Sequence, residues 1–319
     1  MADQSKYIWF DGNIMPWEDA QIHVMSHVLH YGSGVFEGIK CYTTDQGPAI
    51  FRLETHIKRL FQSAEKYGIQ IPFSESDITK ACIDIVNKNE STDCYIRPIA
   101  FYGYNTLGVD PKSCPVQVAV ASFYWGAYLG EEGLVNGVNI TISPWARISL
   151  KSFPPSAKAS GQYMNSMLAV KDARRRGYDE ALLLNHDGNI AEGSGQNIFI
   201  VKDGNIITND LHASILLGVT RESIIQLCND LNYSIEIGDL TQEMLMSADE
   251  AFFTGSATEV TPIATVDDKP IANGKPGPIT LELKKLYTRI VHGRQNRYKN
   301  WLTYVHTHIE NKESIFENS

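Results

Sequence analysis

Apolar positions recur along this chain with two periods, and the switches between them predict its elements. Tyr7 to Phe10 is a short aromatic and aliphatic run, and Asp11-Gly12-Asn13 reads as a tight turn into a second strand. From Phe51-Arg52-Leu53 the period lengthens. Ile57, Leu60 and Phe61 then share one helical face, and Gly68 supplies the stop after Lys66-Tyr67. Glu75 to Val86 reads as a second amphipathic helix, and Cys94 to Phe101 and Val116 to Tyr124 as buried strands. Beyond the Gly-punctuated stretch Trp125 to Gly133 the same alphabet resumes. Val138 to Ser143 and Ala181 to Asn185 predict strands, with a helix over Tyr163 to Arg176 between them. Asn197 to Val201 and Ile206 to Thr208 flank the turn Asp203-Gly204 as a hairpin. Thr220 is placed as the N-cap of a helix carrying Ile224, Ile225, Cys228 and Leu231. Ala251 to Thr254 predicts a strand running into a turn of small residues, and Leu281 to Val291 a last helix.

Strands and helices come in runs, without strict βαβ alternation, which predicts an α+β chain. At 319 residues two units are expected. We place a small N-terminal α/β unit at 1–129, a linker at 130–135, a larger unit at 136–308 and a polar tail at 309–319.

Composition narrows the function classes. The net charge is −9, with no basic stripe, which argues against a nucleic-acid partner. Arg174-Arg175-Arg176 falls at the end of a predicted helix, where cations complement the dipole. No apolar stretch reaches membrane-spanning length, and Met1 to Lys6 carries no apolar signal segment. The five cysteines are odd in number and contain no C-x-x-C, so neither a disulfide framework nor a zinc site is indicated. A cytoplasmic protein with no membrane partner is expected.

Several short motifs carry little by themselves. His23, His27 and His30 would share a helical face, but no H-E-x-x-H or further ligand cluster accompanies them, and no metal is expected. Gly32-Ser33-Gly34 and Gly193-Ser194-Gly195 do not complete a dinucleotide fingerprint, and the second lacks nucleophile-elbow spacing. Leu217-Gly218-Val219-Thr220 is more suggestive, because a glycine before a helix start presents free N–H groups to a phosphate. On that fragment alone, an ordinary loop capped by Thr220 is the commoner reading.

Longer motifs decide the matter by resemblance. His30-Tyr31-Gly32-Ser33-Gly34-Val35-Phe36-Glu37-Gly38-Ile39, Tyr95-Ile96-Arg97-Pro98 and Ala157-Lys158-Ala159-Ser160-Gly161-Gln162-Tyr163 resemble the motifs of bacterial-type branched-chain aminotransferases. Glu192 to Phe199, Gly218-Val219-Thr220-Arg221 and the turn from Gly255 to Pro262 follow in that family's order. The likeness runs from about Tyr7 to Tyr287. It implies the fold type IV architecture, a small α/β domain and a larger β-barrel-like domain with helices, and pyridoxal 5′-phosphate as cofactor.

The resemblance also implies roles. Lys158 would carry the cofactor as an aldimine and move the proton in catalysis. Glu192 would pair with the pyridine nitrogen, keeping the ring an electron sink. Tyr163 would bond the phenolic oxygen. Arg59 would grip the phosphate bidentately, with Val219, Thr220 and Ser256. Tyr95 and Ala257 would hold the substrate carboxylate. Phe36, Tyr31, Trp125 and Tyr128 would line an apolar pocket. Val109 would arrive from a second subunit, and Arg97 would read the distal carboxylate of glutamate. Without the resemblance, core packing is the reading of each aromatic residue. The loop from Phe101 to Asp110 matches the family less tightly than the other motifs.

The activity implied is reversible, ping-pong transamination of leucine, isoleucine and valine with 2-oxoglutarate. The enzyme would bind small amino acids and 2-oxo acids and assemble as a homodimer or higher homo-oligomer. Alternatives on the same fold are a D-amino acid or amine transaminase, an aminodeoxychorismate lyase, or a non-catalytic binding protein. Tyr95, Arg97 and the aromatic opening motif argue against the first three. The presence of Lys158 and Glu192 argues against the last.

Overall fold

The computed structural model describes residues 5–126 and 128–305; the polar tail at 309–319 lies outside them. Two sheets divide the chain. The first has eight strands. Its order runs Leu302–Tyr304, Gly47–Phe51, Ile39–Thr44, Cys94–Tyr102, Val116–Phe123, Tyr7–Phe10, Asn13–Pro16, with Gly34–Phe36 also paired to Cys94–Tyr102. All these pairings are antiparallel. The expected turn after Phe10 is present, with Asp11 and Gly12 both at positive φ.

Helices Leu53–Lys66 and Glu75–Lys88 close one face of this sheet. Ile57, Leu60 and Ala64 from the first and Ile78, Ala81, Cys82 and Ile85 from the second meet Ile39, Ile50, Ile96 and Val118 in one buried cluster. Those positions keep the three-and-four spacing that made both helices legible. Ser74 and Asp77 cap the second helix reciprocally.

Among the described residues the second sheet has nine strands, eight in one path and Lys269–Pro270 paired to Glu259–Val266, and it curls, as a β-barrel-like domain does. Its order runs Ile190–Gly193, Glu180–Leu184, Val138–Ile142, Glu259–Val266, Glu250–Gly255, Asn197–Lys202, Asn205–Thr208, Ile235–Ile237. Val138–Ile142 pairs in parallel with both neighbours. The curl brings Ile190–Gly193 back beside Asn197–Lys202. Gly193 N donates to Gln196 O at 2.8 Å, and Asn209 Nδ2 donates to the Ile190 and Ala191 carbonyls at 2.7 and 2.5 Å. Helices Tyr163–Arg175, Val219–Asp230 and Pro278–Val291 complete the α+β chain.

Two elements bear on the expected division of the chain, and one expected helix cap needs correction. Residues 130–135, expected as a linker, lie within the helix Gly130–Asn136. Leu302–Tyr304, expected in the second unit, pairs with Gly47–Phe51 at the edge of the first sheet. Three residues are too few to display a period of two. Thr220 is not a cap: the helix begins at Val219 with Gly218 at the N-cap, in extended conformation. The free amides of that first turn therefore start one residue before the threonine.

Candidate active site

Lys158 sits on an irregular segment that crosses from the second sheet to the first. Its N–H donates to Ser63 Oγ at 3.0 Å and its carbonyl accepts from Phe36 N at 3.0 Å. The next residue, Ala159, bridges Val35. These bonds fix the backbone and leave the side chain to reach into a cleft. There Nζ donates to Tyr163 Oη at 2.5 Å and lies 4.8 Å from the ring centres of Phe36 and Tyr163. Among the described residues no ion pair engages Lys158.

The cleft has an empty volume of about 670 Å³, part of it open to solvent. Arg59, Tyr95, Lys158, Tyr163, Glu192, Val219, Thr220, Ser256 and Ala257 all line it, so the fold gathers these predicted positions from six separate stretches of chain.

Glu192 is the third residue of the strand Ile190–Gly193 and is buried. Arg147 Nε stands 2.8 Å from its Oε1. That N–H is not aligned for a hydrogen bond, so the contact is an ion pair. Oε2 accepts from Asn197 Nδ2 and from Leu216 N, both at 3.1 Å. Burial pushes the carboxyl pKa up, against the pull of Arg147, the Leu216 N–H and Lys158.

Another part of the lining is built to receive an anion. The first-turn amides of Val219–Asp230 have no partner within the helix, and the helix dipole adds positive potential there. Facing them is the turn after Glu250–Gly255, with Ser256 and Ala257 half-buried. The Thr254 and Thr258 hydroxyls are buried and have no hydrogen-bond partner among the described residues. Buried polar atoms are rarely left so, and these two await a ligand or water.

Arg59 departs from its expected part. Its Nε and Nη2 grip Glu37 at 2.6 and 2.8 Å, and Nη1 donates to Leu217 O at 2.8 Å. The bidentate side of the guanidinium is thus already filled. Of five N–H donors two stay available for an anion. Glu37 is fully buried and also takes His56 Nδ1 at 2.8 Å. Burial alone would raise its pKa, but Arg59 and His56 outweigh that and hold it well below the usual carboxylate range. Burial pushes the His56 pKa down, with Glu37 opposing.

Beside the cleft, Arg97 lies in a box of rings, 4.9 Å from Phe36, 5.3 Å from Tyr95 and 5.8 Å from Trp125. Its Nε is buried without a partner. Trp125 packs on Tyr95 at 4.8 Å and on Tyr128 at 5.7 Å. Gly38 makes room for the Tyr95 hydroxyl: a Cβ there would stand 1.8 Å from it. Phe36, Trp125, Tyr128, Tyr31 and Val109, like Arg97, are not among the residues that line the cleft. Tyr31 is 46% exposed and Val109 78%. The Tyr31 hydroxyl donates to Leu107 O at 2.7 Å, and buried His27 ties Gly108 O at 2.9 Å, so the 107–109 loop is folded onto the helix His27–Tyr31. Among the described residues no group of three or more His, Cys, Asp or Glu is placed to hold a metal.

A family model described as amino-transferase class IV matches residues 34–266. The chain belongs to that family. This class IV aminotransferase is 44% identical over 305 residues to a branched-chain-amino-acid aminotransferase of Pseudomonas aeruginosa, covering 96% of this chain and 99% of the relative. Its fold is similar to the crystal structure of the Escherichia coli branched-chain amino acid aminotransferase, with a TM-score of 0.93, 41% identity, and 95% and 100% coverage of the two chains. The crystal structure of a branched-chain amino acid aminotransferase from Thermobaculum terrenum, in its PLP-bound holo form, gives a TM-score of 0.89, 36% identity, and 95% and 99% coverage.

Glu37, His56, Arg147 and Asn197 were not singled out in the sequence. Glu37 and Asn197 sit inside motifs already quoted, and an acid or amide within a glycine-rich run was the available signal. Arg147 lies outside every motif and carries none.

Proposed function

We propose that this chain is a pyridoxal-phosphate-dependent branched-chain-amino-acid aminotransferase. It would exchange the amino group of leucine, isoleucine or valine with 2-oxoglutarate, reversibly. The observation that carries the cofactor assignment is one cleft holding a buried carboxylate, a lysine amine outside any ion pair, and a helix start beside orphaned hydroxyls. These suit, in turn, a protonated pyridine nitrogen, an aldehyde and a phosphate. The bound cofactor supplies an electron sink that acidifies the Cα proton of the amino acid.

The chain's own groups do the rest. Lys158, steered by Tyr163, carries the cofactor and moves the proton at Cα. Glu192, whose anion Arg147 and two N–H donors favour against its burial, holds the ring nitrogen protonated. Val219, Thr220 and Ser256 receive the phosphate with the two free donors of Arg59. Tyr95 and Ala257 hold the α-carboxylate. Phe36, Trp125 and Tyr128 pack the branched side chain and exclude water, and Arg97 meets the distal carboxylate of glutamate.

Tyr31 and Val109 complete the cleft of a second copy in a two-fold dimer. The exposed apolar residues Val24, Leu29, Tyr31, Tyr104, Leu107 and Val109 support this, on one helix, the segment before it and the loop folded against it. We place the enzyme in the cytoplasm, in keeping with five buried free cysteines. No helix among the described residues is long and apolar enough to cross a membrane. An amino-donor screen tests the substrate reading. Turnover should be highest with L-leucine, L-isoleucine and L-valine. A clear preference for D-amino acids or a chiral amine would overturn it.

A further inference from the structure

Asn197 opens the strand Asn197–Lys202 with its side chain buried, and it bonds in two directions. Its Nδ2 donates to Glu192 Oε2 at 3.1 Å and to Leu216 O at 2.8 Å. Its Oδ1 accepts from Gly218 N at 3.1 Å. The same Glu192 oxygen accepts from Leu216 N at 3.1 Å. One amide thereby clamps the buried carboxylate to the 216–218 loop that leads into the helix Val219–Asp230. A carboxamide offers the two N–H donors and the acceptor this requires.

Gly218 reports how close the clamp is. Its φ of −71° is ordinary, so the backbone does not demand glycine. Space does: a Cβ there would stand 2.2 Å from Asn197 Oδ1. Directly across the strand pair from Asn197 is Thr254, which lines the cleft and whose hydroxyl is buried without a partner. The amide thus lies where the carboxylate, the helix start and the hydroxyl-bearing strand meet.

We propose that Asn197 is a positioning residue that couples the carboxylate serving the cofactor's ring nitrogen to the amides serving its phosphate. The proposal rests on the cofactor reading given above. Its physical basis is short. A buried carboxylate stays ionised only through the donors aimed at it, and Asn197 is one of them. The same side chain sets the loop from which the Val219 and Thr220 amides are presented. A disturbance at either contact is therefore felt at the other.

The test uses the full chain, stripped of cofactor and reloaded with pyridoxal phosphate. Two quantities are read: the dissociation constant, and the pH at which the bound cofactor's visible absorbance is half-changed. The variants are Asn197→Ala, Asn197→Asp and Gly218→Ala. Asn197→Ala should weaken binding roughly tenfold or more, as expected for a lost buried hydrogen bond with its partners stranded. It should also displace the pH midpoint. Asn197→Asp keeps the acceptor for Gly218 N but sets a second carboxylate beside Glu192, and should displace the midpoint furthest. Gly218→Ala makes its collision at the Asn197 Oδ1 end of the clamp, away from Glu192, yet should shift the midpoint in the same direction as Asn197→Ala. Combined with Asn197→Ala it should add little, since both act on one contact. A Gly218→Ala protein with weakened binding and an unmoved midpoint would overturn the coupling, as would strict additivity. Should Asn197→Ala fail to fold, the other two variants decide the question. Failure of the wild-type chain to bind pyridoxal phosphate would instead remove the cofactor reading itself.

Discussion

Around Lys158, the cleft and the aromatic box beside it contrast. In the region of Glu192 and the helix start, charged groups find partners within the one chain: Arg147 at 2.8 Å from Glu192, and Glu37 at 2.6 Å from Arg59. On the side of the aromatic box the same chain leaves matters open. Arg97 has an unpartnered Nε, while Tyr31 and Val109 stand exposed on a neighbouring surface. The difference teaches a division of labour. The cofactor region is held by intrachain pairs, whereas the region we assign to the substrate keeps an unpartnered guanidinium Nε and exposed apolar side chains, which the proposed ligand carboxylate and second copy would meet.

The largest expected effect falls on the paired region. Arg147→Leu removes the cation from a buried carboxylate, and breaking such a pair costs about 3–5 kcal/mol. Thermal unfolding of the cofactor-free protein should show a drop of that size. A loss under about 1 kcal/mol, the range of an exposed pair, would erase the contrast.

The unpaired region should respond in activity and not in folding. Arg97→Leu should lower kcat/KM for glutamate roughly 10- to 100-fold, the size of a charge-assisted hydrogen bond. The leucine half-reaction should change much less, because no second carboxylate is then present. Stopped-flow measurement of the two half-reactions separates them. Equal losses would mean that Arg97 shapes the pocket generally.

The smallest change is expected between pH 7 and 5. Glu37 is held below the ordinary carboxylate range, so its contribution to stability is fully present above the unfolded pKa, about 4.3. It is lost only as pH falls further, towards the folded value. The gap in unfolding temperature between wild type and Glu37→Gln should therefore stay constant down to about pH 5 and close below about 4. A gap that closes between pH 7 and 5 would show that Glu37 is not held ionised by Arg59 and His56.

How much of this was legible in the sequence follows from the range of each interaction. Ile57, Leu60, Ile78 and Ile85 kept a local period, so both helices of the first unit could be read directly. Lys158, Tyr163 and Glu192 lay in motifs whose order identified the family, and the fold brings them to one cleft. The Glu37–Arg59 and Arg147–Glu192 pairs join residues distant in the chain, and no local pattern announces them. Gly218 was passed over as a cap because Thr220 offers a hydroxyl, yet the extended backbone falls at the glycine. Val109 was expected to serve a second subunit, whereas the exposed position of Tyr31 was hidden, since sequence alone does not separate a pocket of one chain from a pocket shared by two.

The central claim is that Lys158 carries the cofactor in this cleft. Purified protein loaded with pyridoxal phosphate should be yellow. Borohydride reduction followed by peptide mapping should find the pyridoxyl label on the peptide containing Ala157-Lys158-Ala159, and Lys158→Ala should take up none. A label on any other lysine, or a Lys158→Ala protein that is still reduced to a stable adduct, would contradict the account.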